Sequence, residues 1–376
     1  MYNLQPDVNY VWSIQTCVLF TFVTIFSFIL PNFWKVKLVR KNKVVTVVPI
    51  GLIIDVIILV CLKGFSNVGR DVLSGYHIGF ESANSLSNYS DDSVELGYRV
   101  LNVIVHNIWN NYTFFLVIVA IFTVTPVAYI AWKYRQNCPI GIIMGLYTAI
   151  YYFQGLSLVR IYLAASIGLI VFDKLIQNKK SQAIIYIIVA SLFHRSMLIL
   201  FLPYIMYRVK KFSKGIYISS LIAAFFILYV LSDKIVSVFS GRYEVYKNIQ
   251  QSAGLGFQQL IYILPIVLLL VYAKKISVNF NSNVYRMSWI VIIFSFFIGE
   301  LGYVISILGR AQVASLSIIF VVAYSIDKIS KKSVVLGEVI KILTIIYGLV
   351  RLYIYLAQYY NIDSIMPYST VWGWIF

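Results

Sequence analysis

The chain has 376 residues, 60% of them hydrophobic and only 12% charged. A soluble domain carries about 25% charged residues, so this composition excludes an ordinary water-soluble globule and points to a polytopic membrane protein. The formal charge of +17, from 31 Lys+Arg against 14 Asp+Glu, would suggest a nucleic-acid partner in a soluble protein. In a membrane protein, orientation has to be counted first, because cytoplasmic loops collect Lys and Arg.

In chain order, apolar stretches over 10–30, 44–62, 113–132, 139–155, 158–174, 216–232, 257–273, 287–305, 310–326 and 334–356 are the expected crossings. The first begins after a charge-poor segment without a small-residue cleavage site and is expected to be retained. Residues 182–207 form a further apolar stretch, interrupted by Phe193-His194-Arg195-Ser196. Basic clusters resolve how it runs. The loop with Lys35, Lys37, Arg40, Lys41 and Lys43 is expected inside, which puts the N-terminus outside. If 182–207 crossed once, Arg208, Lys210, Lys211, Lys214 and the later clusters would fall outside. Out and back, as helices 182–193 and 196–207 of about 18 Å each, it returns them inside. The expectation is therefore an all-α, single integral membrane domain over 1–376, with about twelve transmembrane helices (11–13) and both termini outside.

With that threading, the cytoplasmic segments hold 20 basic and 3 acidic residues, and the outer segments 9 of each. Orientation accounts for the whole excess, so no nucleic-acid partner is expected. Cys17, Cys61 and Cys138 are scattered, with neither metal-ligand spacing nor a disulfide framework.

Two outer segments, 63–112 and 233–256, exceed simple turns, and long loops of that kind carry binding functions. In the first, Leu101, Ile104, Val105 and Ile108 recur at helical spacing after Tyr98, as in an interfacial helix. Ionisable residues at membrane depth are costly and need a partner or a function. Arg160, Arg310, Arg351 and Glu300 fall at one depth near the outer surface, with His194-Arg195-Ser196 beside them and Arg70 and Arg242 above. Arginine forks suit phosphate oxygens, so the expected ligand is a lipid-borne phosphate or diphosphate. His194 is a candidate general base and Glu300 its competitor. Arg351 could instead lock helices by pairing with Glu300 or Asp55, and Arg195 could snorkel.

Six pieces in order resemble the EpsG-type branch of the Wzy polymerases. They are Gly69-Arg70-Asp71 with Tyr76 and Phe80; Glu95-Leu96-Gly97-Tyr98; Arg160-Ile161-Tyr162-Leu163-Ala164-Ala165-Ser166; Leu192-Phe193-His194-Arg195-Ser196; Gly241-Arg242-Tyr243; and Met366-Pro367-Tyr368. Leu96 departs from the proline usual before Gly-Tyr. The resemblance implies a GT-C-like membrane glycosyltransferase in the bacterial plasma membrane with its active site on the periplasmic face. The reaction implied joins undecaprenyl-diphosphate-linked oligosaccharide repeat units into O-antigen, capsule or exopolysaccharide, without metal or other cofactor. Donor and acceptor would both be lipid-linked, and a chain-length regulator protein is a further implied partner. His194, Arg160 and Glu300 would be catalytic. Arg70, Asp71, Tyr98, Arg195, Ser196, Arg242, Tyr243, Arg310 and Arg351 would bind diphosphate or sugar. A flippase, a ligase and a sugar O-acetyltransferase are the competing readings. The first would want midplane charges, where only Asp55 sits; the second differs only in acceptor; the third needs a cytoplasmic acyl donor.

Overall fold

A computed structural model of the chain describes residues 11–33, 35–40, 43–87, 94–209, 219, 226, 230, 257–277, 280–304 and 309–376. Arg242, Tyr243, the 233–256 loop and most of the expected 216–232 crossing lie outside the described residues. Helix α1 is Ile14–Ile29, capped by the Ser13 hydroxyl, which accepts from the Thr16 amide at 3.2 Å. An antiparallel hairpin follows, β1 Lys35–Arg40 and β2 Lys43–Pro49, and helix α2 runs Ile50–Gly64.

This corrects the expected crossing at 44–62. Its first turn is a strand because Val44, Val45, Val47 and Val48 are β-branched and have a Val/Leu-rich partner in register, Val36↔Val48 and Leu38↔Thr46. Pro49 then stands where the helix starts.

Beyond α2 come short α3 His77–Glu81 and α4 Leu96–Ile108, then α5 Tyr112–Lys133, α6 Ile140–Tyr147, α7 Val159–Ile176, α8 Lys180–Phe193 and α9 Phe201–Arg208. After the undescribed stretch come α10 Phe257–Ile276, α11 Ser282–Val304, α12 Ile318–Lys332 and α13 Val334–Tyr359. Among the described residues, six helices are long and apolar enough to cross a membrane. The protein is therefore a polytopic membrane protein that is helical apart from the β1–β2 hairpin among its described elements. Their outward faces are apolar too, with Leu264 and Leu268 on α10 and Ile342, Leu343 and Ile346 on α13 exposed. Such faces suit lipid rather than water.

The break at His194 does reverse the chain. Helix α8 ends at Phe193, a 3-10 turn covers Arg195–Leu200, and α9 leads back. At the far end of α9, the Arg286 guanidinium donates to the carbonyls of Tyr207 at 2.7 Å and Val209. That end is shared by other basic connections. Lys133 pairs with Asp173 at 2.6 Å, Lys331 donates to the Gln136 carbonyl at 3.1 Å, and the Gly141 amide donates to Asn32 at 3.3 Å. The turns carrying Lys and Arg thus gather at one end of the bundle.

The opposite end is closed by the residues after α13, which hook back across the start of the 63–112 segment. Asn67, Gly69 and Arg70 amides donate to the carbonyls of Ser369, Ser364 and Asp363 at 2.8, 2.9 and 3.0 Å. Tyr368, from the Met366-Pro367-Tyr368 motif, is buried, donates its hydroxyl to Leu62 O at 2.7 Å and meets Phe20 edge-on. That motif is a fastening between the two chain ends. Helix α4 forms over the stretch where the spacing predicts a helix, and it packs on the end of α8. Tyr98, Asn102 and Val105 are buried on the protein, while Ile104 and Ile108 are exposed. Beneath it sits a separate small core that includes Val72, Phe80, Tyr98 and Phe115.

Candidate active site

Two glycines let the hook end close tightly. Gly69 has φ +101, and a Cβ there would lie 2.5 Å from the Leu156 carbonyl oxygen. Gly97 packs α4 onto the end of α8, where a Cβ would lie 2.8 Å from Leu192 O. Conformation and close approach therefore require glycine at Gly69, and close approach alone requires it at Gly97.

At the N-terminal turn of α7, Arg160 faces the wrong pole of its own helix, where a cation is disfavoured. Glu95 supplies the compensation. Its Oε2 accepts from Arg160 at 2.7 Å, and its Oε1 accepts from the Arg195 backbone amide at 3.1 Å. One carboxylate joins α4, α7 and the break after α8. Arg160 also donates to the Tyr76 hydroxyl at 3.3 Å, and its guanidinium lies 5.3 Å from the Tyr76 ring centre and 5.8 Å from that of Tyr98. The side chains of the pair are 16% and 9% exposed, so both charges are largely out of solvent and each needs the other.

His194 stands next to this pair. Its Nδ1 is 2.7 Å from Ser196 Oγ and accepts from the Ser196 amide at 3.4 Å, which assigns the imidazole proton to Nε2. Burial, aided by the charges of Arg160 and Arg310 and opposed by Glu95, pushes its pKa down to about 4. At neutral pH the ring is an uncharged Nε2–H donor and a weak base.

Arg310 opens a 3-10 turn, Arg310–Ser315, that packs against the Arg195–Leu200 turn and α7. Its charge reaches His194, Tyr76 and Asp363, and that of Asp71 reaches Tyr76 and Asp363. These residues therefore lie within electrostatic reach of one another at the hook end of the bundle. The side chains of Arg70, Arg195 and Arg310 are exposed there, and Asp71 is half-buried.

Asp363, just after α13, was not among the residues singled out from sequence. Its Oδ2 accepts from the Tyr355 hydroxyl at 2.7 Å. Burial pushes its pKa up to about 6, Asp71 adds to this, and Arg310 opposes it. Glu95 was quoted only within a motif. The nearest basic residue in sequence is Arg99, at i+4, so no local pattern points to its actual partner, which is 65 residues away. Asp363 lies in a stretch that sequence reading treats as tail, and only its convergence with the Gly69-Arg70-Asp71 segment reveals it.

Glu300 is buried within α11. Arg351 does not pair with Asp55, whose Oδ1 accepts from Ser27 at 2.8 Å in the interior. Its guanidinium instead stacks 3.4 Å from the ring centre of Tyr262 and donates to the Tyr347 hydroxyl at 3.3 Å. Stacking of that kind satisfies an intramembrane arginine without a carboxylate. Among the described residues, no three His, Cys, Asp or Glu side chains form a metal-holding group.

Apolar spanning helices with a polar, arginine-rich cluster at one end define a polytopic membrane protein. The chain belongs to the EpsG family, matching it over residues 50–370. Membership points to polysaccharide synthesis. No curated protein and no solved structure matches the chain.

Proposed function

We propose that this protein polymerises undecaprenyl-diphosphate-linked oligosaccharide repeat units at the outer, periplasmic face of the bacterial plasma membrane. The arrangement we infer has twelve crossings, both termini outside and a GT-C-like plan. The observation that carries the reading is the Glu95-locked Arg160 beside neutral His194, in a cluster with exposed arginines at the end away from the basic turns. The positive-inside rule puts that end outside.

In the reaction, a hydroxyl of one lipid-linked repeat unit attacks the anomeric carbon of the chain borne on undecaprenyl diphosphate. The anomeric C–O bond to the diphosphate breaks and undecaprenyl diphosphate leaves. Arg70, Arg195 and Arg310 meet the charge that develops on the leaving diphosphate, and Arg242 joins them from the 233–256 loop. Arg160 is held in its pair with Glu95 and positions Tyr76, Tyr98 and the His194 turn. His194 donates from Nε2 to a substrate oxygen, with Ser196 holding the ring. The acceptor's proton passes to Asp363, whose pKa near 6 keeps it ionised at neutral pH yet basic enough to receive it. Glu300 and Arg351 support the adjoining helices.

Deletion of the gene in its host, followed by a ladder gel of surface polysaccharide, tests the reading. A single repeat unit on the acceptor is the expected product, whereas loss of every unit would indicate a flippase or ligase. Complementation with His194→Ala or Asp363→Asn is expected to shorten the ladder to one or two units. A normal ladder from either variant removes that residue from the reaction.

A further inference from the structure

The basic end of the bundle holds a cavity of about 420 Å³, well away from the hook end and its arginine cluster. It lies in the size range of small-molecule sites. It runs along α12 from Lys328 at the mouth to Ser317 at the floor. Eleven helical residues separate the two, a depth of about 16 Å. The walls are apolar, with Leu169 and Phe172 from α7, Val291 from α11, and Phe320 and Val321 from α12.

The mouth is cationic. Asp173 lies there but is neutralised: it accepts from Lys133 Nζ at 2.6 and 2.8 Å, from the Tyr134 hydroxyl at 2.8 Å and from Gln177 at 2.8 Å. Lys328 is half-buried, with its ammonium 5.0 Å from the Tyr324 ring centre. Asn281 caps α11 at the same mouth, its Oδ1 accepting from the Asn283 amide at 2.9 Å. At the floor, the Ser317 hydroxyl is buried without a hydrogen-bond partner. An apolar slot of this depth below a cationic mouth matches one hydrocarbon chain joined to a phosphate. We propose that this cavity binds an anionic lipid, chain inward and phosphate at Lys328, as a site separate from the Glu95–Arg160–His194 cluster. It does not depend on the polymerase reading, and its test needs no polymer.

Asn137 lines the cavity and is exposed, so a cysteine placed there serves as the probe. In a chain carrying Asn137→Cys with Cys17→Ser, Cys61→Ser and Cys138→Ser, its alkylation by N-ethylmaleimide is followed in delipidated micelles. Added phosphatidylglycerol is expected to slow labelling about fivefold relative to phosphatidylcholine, the selectivity one lysine beside an anionic headgroup confers. Lys328→Ala should erase that difference. Stronger protection by undecaprenyl phosphate than by phosphatidylglycerol would support the site and identify its chain as an isoprenoid. Native mass spectrometry of the wild-type protein provides a second measurement, in which one anionic lipid should be retained and should be lost from Lys328→Ala. Equal protection or retention with phosphatidylcholine, or no protection by either anion, overturns the proposal.

Discussion

Among the described residues, two largely buried ion pairs lie one near each end of the bundle, and they are built to different ends. Asp173 accepts four hydrogen bonds, two of them from Lys133, and its partner is 31% exposed. Its lone pairs are filled by side chains from its own neighbourhood, and the pair ties α5 to α7. Glu95 accepts only from Arg160 and the Arg195 amide, and its partner is 16% exposed. Around it lie His194, two tyrosine rings and the exposed arginines. The first pair is saturated and sits at the mouth of the apolar cavity. The second braces α4, α7 and the His194 turn beside the exposed arginines of the hook end. A buried charge pair acquires functional meaning from what surrounds it, since by itself such a pair is weak evidence even for stability.

Breaking the two pairs should separate these roles. Glu95→Ala leaves Arg160 buried without its carboxylate and should cost about 3–5 kcal/mol, with loss of the polymer ladder. Thermal unfolding in detergent measures the first and gel electrophoresis the second. Asp173→Ala should cost less, about 1–3 kcal/mol, because Lys133 can turn to solvent. The protein that remains folded should still make full-length polymer. Equal ladders from both variants would erase the contrast drawn above.

The pH profile sharpens it further. Burial raises the Asp363 pKa to about 6, so the carboxyl takes up a proton as pH falls through that value and polymerisation should decline there. Arg310 opposes this rise, so Arg310→Ala should move the acid limb to higher pH, and Asp363→Asn should flatten what activity remains. Rates of radiolabelled repeat-unit incorporation between pH 5 and 8 read all three. The smallest effect is expected from Ser196→Ala, which removes one hydrogen bond to His194 worth about 0.5–1.5 kcal/mol. A modest fall in rate with an unchanged melting temperature would fit a role in orienting the ring.

Membrane insertion, the reversal at His194 and the gathering of basic turns at one end were legible in the sequence. Hydrocarbon has a length and a charge penalty, and both act on consecutive residues. The hairpin before α2 was misread because a Val-rich strand and an apolar helix share a composition and differ only in whether a partner strand is present. Arg160 and His194 stood out for the cost of charge and polarity at membrane depth. Their partners did not. Glu95 is 65 residues from Arg160, and the Arg70 amide reaches the Asp363 carbonyl across nearly the whole chain. Pairings at such separations are set by how helices pack, which no local pattern encodes. The sequence by itself determined that the chain lives in a membrane and which arginines demand an explanation. Only the tertiary structure decided that Arg160 is bound to a carboxylate, that Arg351 rests on aromatic rings, and that Asp363 meets the Gly69-Arg70-Asp71 segment.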